Sequence, residues 1–388
     1  MKNLLLSTRS SRVVSIIISA ILLMLFLTHT AEAQKRNRQT QAPPDNTFHD
    51  SHFHLTNYIQ EGVDIHKYLE IMGSRVGRST LFGIPLQQMW YYPNSGNYAP
   101  TYYLQSDAPL YYYSFTDAYI ASIYNSLSKE EKQRFDPMII GFNPADMYAK
   151  AHIKRVLHTF PGVFTGIGEF SIHKEFVSAK VAGEVASLTN PALDSLLDFA
   201  GEVGLVVLFH NDMDMPFAKA GTEPIYLTQM KDLLKRHPKT TIIWAHVGLG
   251  RIVRPIQGSP SAPSTERTPR QMQIVDDILS DPALRHVYFD ISWDEVAKYI
   301  VASPEVLRNS ITILNRYPDR FLFGSDVVAP TSPEMYYAVY NMYEPLWKGL
   351  KPETSEKLRK GNYERIFNEA RQKVRQWEKV HVSTGAKK

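Results

Sequence analysis

Two histidines two positions apart, His52 and His54 in Phe48-His49-Asp50-Ser51-His52-Phe53-His54-Leu55, open a pattern of metal-binding side chains in this 388-residue chain. On a β-strand that period turns both imidazoles to one face, where they can hold a divalent ion. The pair alone is weak evidence, because ordinary half-buried strands also carry it. Downstream, however, apolar runs of β type end in Glu169, His210, His246 and Asp326, in Gly166-Ile167-Gly168-Glu169, Leu205-Val206-Val207-Leu208-Phe209-His210, Ile242-Ile243-Trp244-Ala245-His246 and Phe321-Leu322-Phe323-Gly324-Ser325-Asp326. If all these strand ends ring one mouth, the six side chains converge on one or two ions. Imidazole and carboxylate suit zinc, or manganese or iron if more oxygen donors join.

Such an ion, with one position open, lowers the pKa of a bound water towards neutrality. Asp326 could take the proton of that water and pass it to the leaving group, and His246 could donate a hydrogen bond to the oxygen that becomes negative. The outcome is hydrolysis of an amide, ester or lactone in a small-molecule substrate. The same site could instead hold a carboxylate substrate while carbon dioxide leaves, which gives a decarboxylase. His173 and Asn211-Asp212 follow the fourth and fifth strands closely enough to touch substrate, and Arg251, with Arg254, could pair with a substrate carboxylate. Asp50 either orients a ligand histidine or satisfies backbone near the first strand. Asp290 is expected to hydrogen-bond in the mouth without touching metal; His152, His158, His237 and His286 read as structural.

Positioning these residues requires alternating strands and helices. The pattern predicts strands at 48–54, 79–85, 137–143, 163–170, 205–210, 241–246, 286–292 and 320–326, and amphipathic helices at 149–159, 192–203, 227–236, 271–279 and 304–316. Mostly continuous apolar strands alternating with helices call for a buried parallel sheet, and eight of them with polar C-terminal ends favour an α/β fold closed as a (β/α)8 TIM barrel. No glycine-rich phosphate loop follows the first strand, which counts against a dinucleotide fold. An aromatic-rich insertion at 89–124, after strand 2, either packs on the barrel or a second subunit, or walls the substrate pocket. Residues 250–270, rich in proline and serine, form a lid or a solvent loop.

Residues 1–33 read as a secretory signal peptide: Lys2, Arg9 and Arg12 precede an apolar run, and Ala31-Glu32-Ala33 offers a cleavage site. The expected location is periplasmic or secreted, with membrane contact only if the leader stays uncut. Losing those three basic residues and Glu32 lowers the formal charge from +4 to +2, and no basic block remains to suggest nucleic acid. The chain has no cysteine, which excludes disulfides, thiolate metal sites, a cysteine nucleophile and a lipid-attached N-terminus. Residues 34–46 should be a flexible linker, 47–380 one barrel domain with C-terminal helices, and 381–388 a disordered tail. Exposed aromatics in the insertion would suit a homodimer.

The chain resembles the amidohydrolase superfamily, and within it the amidohydrolase-related branch of metal-dependent TIM-barrel hydrolases and decarboxylases. The resemblance rests on Asp50-Ser51-His52-Phe53-His54, Gly168-Glu169, Trp244-Ala245-His246-Val247-Gly248, Phe323-Gly324-Ser325-Asp326 and the late Gly361-Asn362-Tyr363-Glu364-Arg365-Ile366-Phe367. It implies that His52, His54, His210 and Asp326 bind metal, with His246 on a second metal or facing substrate. Where two-metal members carry a modified lysine after strand 4, this chain has Glu169, which would bridge two ions, serve one, or only hydrogen-bond.

Overall fold

The computed structural model describes residues 47–57, 61–84, 115–174, 187–213, 223–250 and 268–382, with three short strand pieces between 177 and 185. Eight strands run in chain order through one sheet: β1 (Phe48–Asp50), β2 (Val76–Leu81), β3 (Phe135–Ile139), β4 (Gly166–Ser171), β5 (Val206–His210), β6 (Ile242–Trp244), β7 (Val287–Asp290) and β8 (Phe321–Leu322). Every neighbouring pair in the sheet is parallel. The ends meet where Ser51 N–H donates to Phe323 O at 3.0 Å and Val327–Val328 pairs in parallel with Phe53–His54. That joins β8 to β1 and makes the curled sheet a TIM barrel.

The strands are covered on both faces. Val206, Val207, Leu208 and Phe209 of β5 are all buried, the pattern of a strand with the barrel interior on one side and helices on the other. The helices have defined ends. Pro191–Val203 starts at Asn190, whose side chain accepts from Ala192 N–H, and stops at Gly204 in the left-handed conformation, φ 84°. Pro304–Arg316 and Pro333–Met342 each begin with proline behind a capping serine, Ser303 or Ser332.

The C-terminal helix Asn362–His381 locks the underside. Asn362 donates through Nδ2 to the carbonyls of Pro318 and Phe321, both at 2.8 Å, which ties the helix to the approach and first residue of β8. Tyr363 donates to Asp136 Oδ2 at 2.8 Å, and that fully buried carboxylate also accepts from Arg78 and Arg371. The late Gly361–Phe367 motif therefore fastens the last helix to strands β2, β3 and β8. Among the described residues no helix is long and apolar enough to cross a membrane.

The helices 149–159 and 304–316 fall where the pattern places them. Six strand ends do not: β2 stops at Leu81, β3 at Ile139 and β7 at Asp290, short of the expected 85, 143 and 292, and three more differ at the site itself. The first strand breaks at Ser51-His52, because Ser51 N–H turns to Phe323 O and His52 N–H to the Asp50 side chain. Strand β6 stops at Trp244, and Ala245–Gly248 is a tight turn in which His246 N–H goes to Asp290 Oδ1 rather than to a neighbouring strand. Strand β8 stops at Leu322, four residues before Asp326, whose N–H donates to His52 O at 2.7 Å. The helix Asn362–His381 reaches one residue into the expected tail. Leader 1–33, linker 34–46, most of the aromatic insertion, and Arg251 and Arg254 lie outside the described residues; Phe115–Ser126, at the end of the insertion, is a helix.

Candidate metal centre

At the C-terminal mouth the ends of β1, β4, β5, β6 and β8 bring the six ligand-type residues together. One ligand atom from each of His52, Glu169, His246 and Asp326 lies within 4.8 Å of the others. His54 joins through Nε2, 3.1 Å from Asp326 Oδ1 and 3.5 Å from Glu169 Oε2. His210 joins through Nδ1, 3.2 Å from Glu169 Oε1, while its Nε2 faces Asp212 Oδ1 at 2.8 Å. Asp326 is the most open of the carboxylates, its side chain 14% exposed against 6% for Glu169.

Local sequence explains how strands and turns reach this geometry. Gly168, φ 116°, passes so close to β5 that a Cβ there would lie on Leu208 O, so only glycine lets β4 deliver Glu169 at this depth. Gly324 allows a similar approach between β8 and His52. The mouth also carries left-handed backbone at non-glycine residues: His246 (φ 57°), Val247 (φ 49°), Trp293 (φ 79°) and Asp326 (φ 53°). Such conformations cost about 1–3 kcal/mol each and gather at functional sites.

A second ring of groups holds the first. Asp50 is fully buried and accepts from His52 N–H (3.0 Å), Ser325 N–H (2.9 Å), Ser325 Oγ (2.6 Å) and Tyr336 OH (2.7 Å). It fixes backbone on both sides of the β8–β1 junction rather than an imidazole. Asp290 takes the imidazole role, accepting from His52 Nδ1 at 2.9 Å. Ser292, which the sequence reading passed over, contacts Asp290, His52 and His246. Its only signal is the spacing Asp290-Ile291-Ser292, the same period of two that marked His52 and His54. His237 bridges Asp194 and Asp198, His286 donates to Leu234 O, and His152 faces Asp117, all in structural positions away from the cluster. His158 packs its ring against Trp377.

Proton positions test whether a metal fits. Asp290 accepts at His52 Nδ1, so a neutral His52 ring turns an unprotonated Nε2 inward, whereas His54 has acceptors on both sides, the Gly83 carbonyl 3.3 Å from Nδ1 and Asp326 Oδ1 3.1 Å from Nε2. His52 Nε2 is buried without a hydrogen-bond partner among the described residues, with Glu169 Oε2 at 3.4 Å and Asp326 Oδ1 at 3.3 Å. Lone pairs then face lone pairs, an arrangement that needs a positive charge at its centre. The pKa shifts report the same demand for positive charge, favouring a proton on the ring in place of an ion. Burial opposes charge on His52, but Glu169, Asp290 and Asp326 together raise it well above the usual histidine range. Burial likewise opposes charge on Asp326 and Glu169, yet the facing histidines hold both carboxyls below their usual range. The donors fit a divalent ion held by histidine nitrogen and carboxylate oxygen.

Comparison with known proteins gives the family. The sequence model of the amidohydrolase family matches residues 50–368. No curated protein matches the chain by sequence. Among solved structures, the chain is similar to an amidohydrolase from Burkholderia multivorans with bound zinc, 13% identical over 83% of this chain and 99% of that one, TM-score 0.52. It is also similar to 2,6-dihydroxybenzoate decarboxylase from Rhizobium, 13% identical over 83% and 99%, TM-score 0.47. A third is dihydroorotase from Campylobacter jejuni, 12% identical over 83% of each chain, TM-score 0.46. At 13% identity the Burkholderia structure speaks for the fold alone, while the sequence match spans the barrel from Asp50 past the Gly361–Phe367 motif: this chain belongs to the amidohydrolase family.

Proposed function

We propose that the protein is an exported, metal-dependent hydrolase that cleaves an amide, ester or lactone bond of a small substrate. The observation that carries this reading is the buried group His52, Glu169, His246 and Asp326, with the unpartnered Nε2 of His52 at its centre. His54 and His210 complete the expected ligand set, and zinc is the ion we favour, as in the Burkholderia amidohydrolase. When bound, such an ion supplies a water of lowered pKa and an electrophile for the carbonyl oxygen. Asp326 is ionised, since its carboxyl is held below the usual range, and it is the carboxylate most open to the mouth. It accepts the proton of the attacking water and returns it to the leaving group.

His173 and Asn211 are the substrate contacts we assign. His173 stacks on Tyr226 with centroids 3.6 Å apart and planes 6° apart, and it lies beside Asp212, whose N–H donates to its carbonyl. Burial lowers its pKa to about 4, so it is neutral at physiological pH, and both ring nitrogens lack partners among the described residues. The buried Oδ1 of Asn211 is likewise unpartnered. One donor and two acceptors beside His210 suit a polar, uncharged part of a substrate. The inclusion of Glu169 in the metal-facing group supports hydrolysis over decarboxylation, because its carboxylate competes with a substrate carboxylate for the same positive charge.

The test pairs elemental analysis of protein purified without chelator with a screen of lactones, esters, amides and aromatic carboxylates. One or two equivalents of metal, lost in His52→Ala, together with chelator-sensitive hydrolysis, is the expected result. Carbon dioxide release without hydrolysis would instead establish the decarboxylase. Protein that stays metal-free after incubation with zinc and manganese would overturn both.

A further inference from the structure

The two roles open to His246, metal ligand or hydrogen-bond donor, differ in where its ring carries a proton. Its Nε2 lies 3.2 Å from Glu169 Oε1, and its Nδ1 lies 2.8 Å from Ser292 Oγ. A serine hydroxyl could donate to that Nδ1 or accept from it. Asp290 decides which. Its Oδ1 accepts the backbone N–H of His246 at 2.7 Å and sits 2.5 Å from Ser292 Oγ, and its Oδ2 accepts His52 Nδ1–H at 2.9 Å. A carboxylate has no proton to give, so the single hydroxyl hydrogen of Ser292 points at Asp290. With that hydrogen committed, Ser292 Oγ can only accept, and His246 Nδ1 must carry a proton.

We propose that Ser292 is a positioning residue that fixes His246 as its Nδ1–H tautomer, so that Nε2 enters the centre as a metal-ligating lone pair rather than as a hydrogen-bond donor to substrate. Ser292 Oγ also lies 3.1 Å from His52 Nδ1, beside the bond from that ring to Asp290. One relay, Asp290 to Ser292 to His246, thus sets the ring that follows β6 while Asp290 sets the ring that follows β1 directly. The sequence Asp290-Ile291-Ser292 places both groups on the barrel side of β7's end, since alternate residues share a face. The inference rests on the metal-site reading and is independent of whether the reaction is hydrolysis or decarboxylation.

The experiment needs no substrate. Zinc-loaded wild-type protein carrying ¹⁵N-histidine would be examined by long-range ¹H–¹⁵N correlation. The expected spectrum shows His246 with a protonated Nδ1 and a metal-shifted Nε2. Zinc affinity, measured by competition with a chromophoric chelator, should fall about 10–100-fold in Ser292→Ala, the usual consequence of removing a group that orients a ligand histidine. Ser292→Thr, which keeps the hydroxyl, should retain affinity within about threefold. A protonated Nε2 on His246 in the wild type would overturn the proposal, as would unchanged zinc affinity in Ser292→Ala. Should Ser292→Ala not fold, the wild-type spectrum and the threonine variant still decide. Activity plays no part, so a failure of the hydrolase reading and a failure of this one are separate results.

Discussion

Replacing Gly324 by alanine tests how tightly the barrel positions His52, the histidine proposed to face the metal. A Cβ at this position would meet His52 Cβ at 2.6 Å, Ser292 Cβ at 3.0 Å and His52 N at 3.1 Å. Ordinary carbon contacts lie at about 3.5–4.0 Å, so something must move by about 1 Å. His52 has nowhere to retreat. It is fully buried, with its backbone N–H on Asp50 and its ring between Asp290 on one side and Glu169 and Asp326 on the other. Overpacking of this kind costs about 1–3 kcal/mol, and for a barrel of this size that lowers the melting temperature by about 2–4 °C in the presence of chelator. Metal constellations tolerate about 0.5 Å of displacement, so zinc affinity should fall in addition, by about 10–100-fold. That loss removes a further ~1.4–2.7 kcal/mol of zinc-linked stabilisation at fixed zinc concentration. Calorimetric melts of wild type and Gly324→Ala, each with chelator and with excess zinc, separate the two effects. A variant that melts within about 1 °C of wild type under both conditions would refute the steric argument. An equal drop under both would show that the clash relaxes away from His52.

Two other perturbations probe the underside and the substrate side. Asp136→Asn leaves Arg78, which reaches the carboxylate at 2.6 Å, and Arg371, also at 2.6 Å, without their counter-charge; urea unfolding should show a loss of about 3–5 kcal/mol, while zinc affinity of the folded protein stays unchanged. His173 has its pKa pushed down from 6.5 to about 4, so below pH 6.5 the unfolded chain binds a proton that the folded one refuses. Its neutral form contributes stability that is fully present above pH 6.5 and is lost as pH falls towards 4. Between about pH 7 and pH 4.5 wild type should lose about 2–3 kcal/mol more than His173→Gln, and parallel urea-stability profiles for the two proteins would contradict this account.

The recurring motif of an apolar run ending in a ligand-type side chain was enough to gather His52, His54, Glu169, His210, His246 and Asp326, because a parallel barrel sends every such strand end to one mouth. What the runs concealed is where the ladders stop. His246 and Asp326 look like strand termini in the sequence, yet both sit in left-handed backbone beyond the strand, held by Asp290 Oδ1 and His52 O. Those partners are far away in sequence, and local periodicity carries no trace of them. Asp50 is similar: its bonds to Ser325 and Tyr336 cross more than 270 residues, so its role as a fastener of backbone could not be separated from a role at the imidazole. Ser292 was within reach, since it repeats the period of two after an apolar strand, but serine is too common at strand ends to stand out without Asp290 beside it.

The distribution of cost within the barrel connects these observations. Left-handed backbone at His246, Trp293 and Asp326, and the unpartnered Nε2 of His52, all lie at the mouth, and each is unfavourable by itself. The compensation lies elsewhere: in the eightfold parallel sheet closed by Ser51 and Phe323, and in the underside where Asp136 joins β3 to Arg78 of β2 and to the C-terminal helix. A barrel can carry this asymmetry because the groups that stabilise it and the groups that do chemistry occupy opposite ends of the same strands. It follows that substitutions on the underside should change how much protein is folded without changing what the folded protein binds. Substitutions at Ser292 or Gly324 should do the reverse in larger measure, since the ion proposed for the mouth would answer both the unpartnered Nε2 of His52 and the negative charge of Glu169, Asp290 and Asp326.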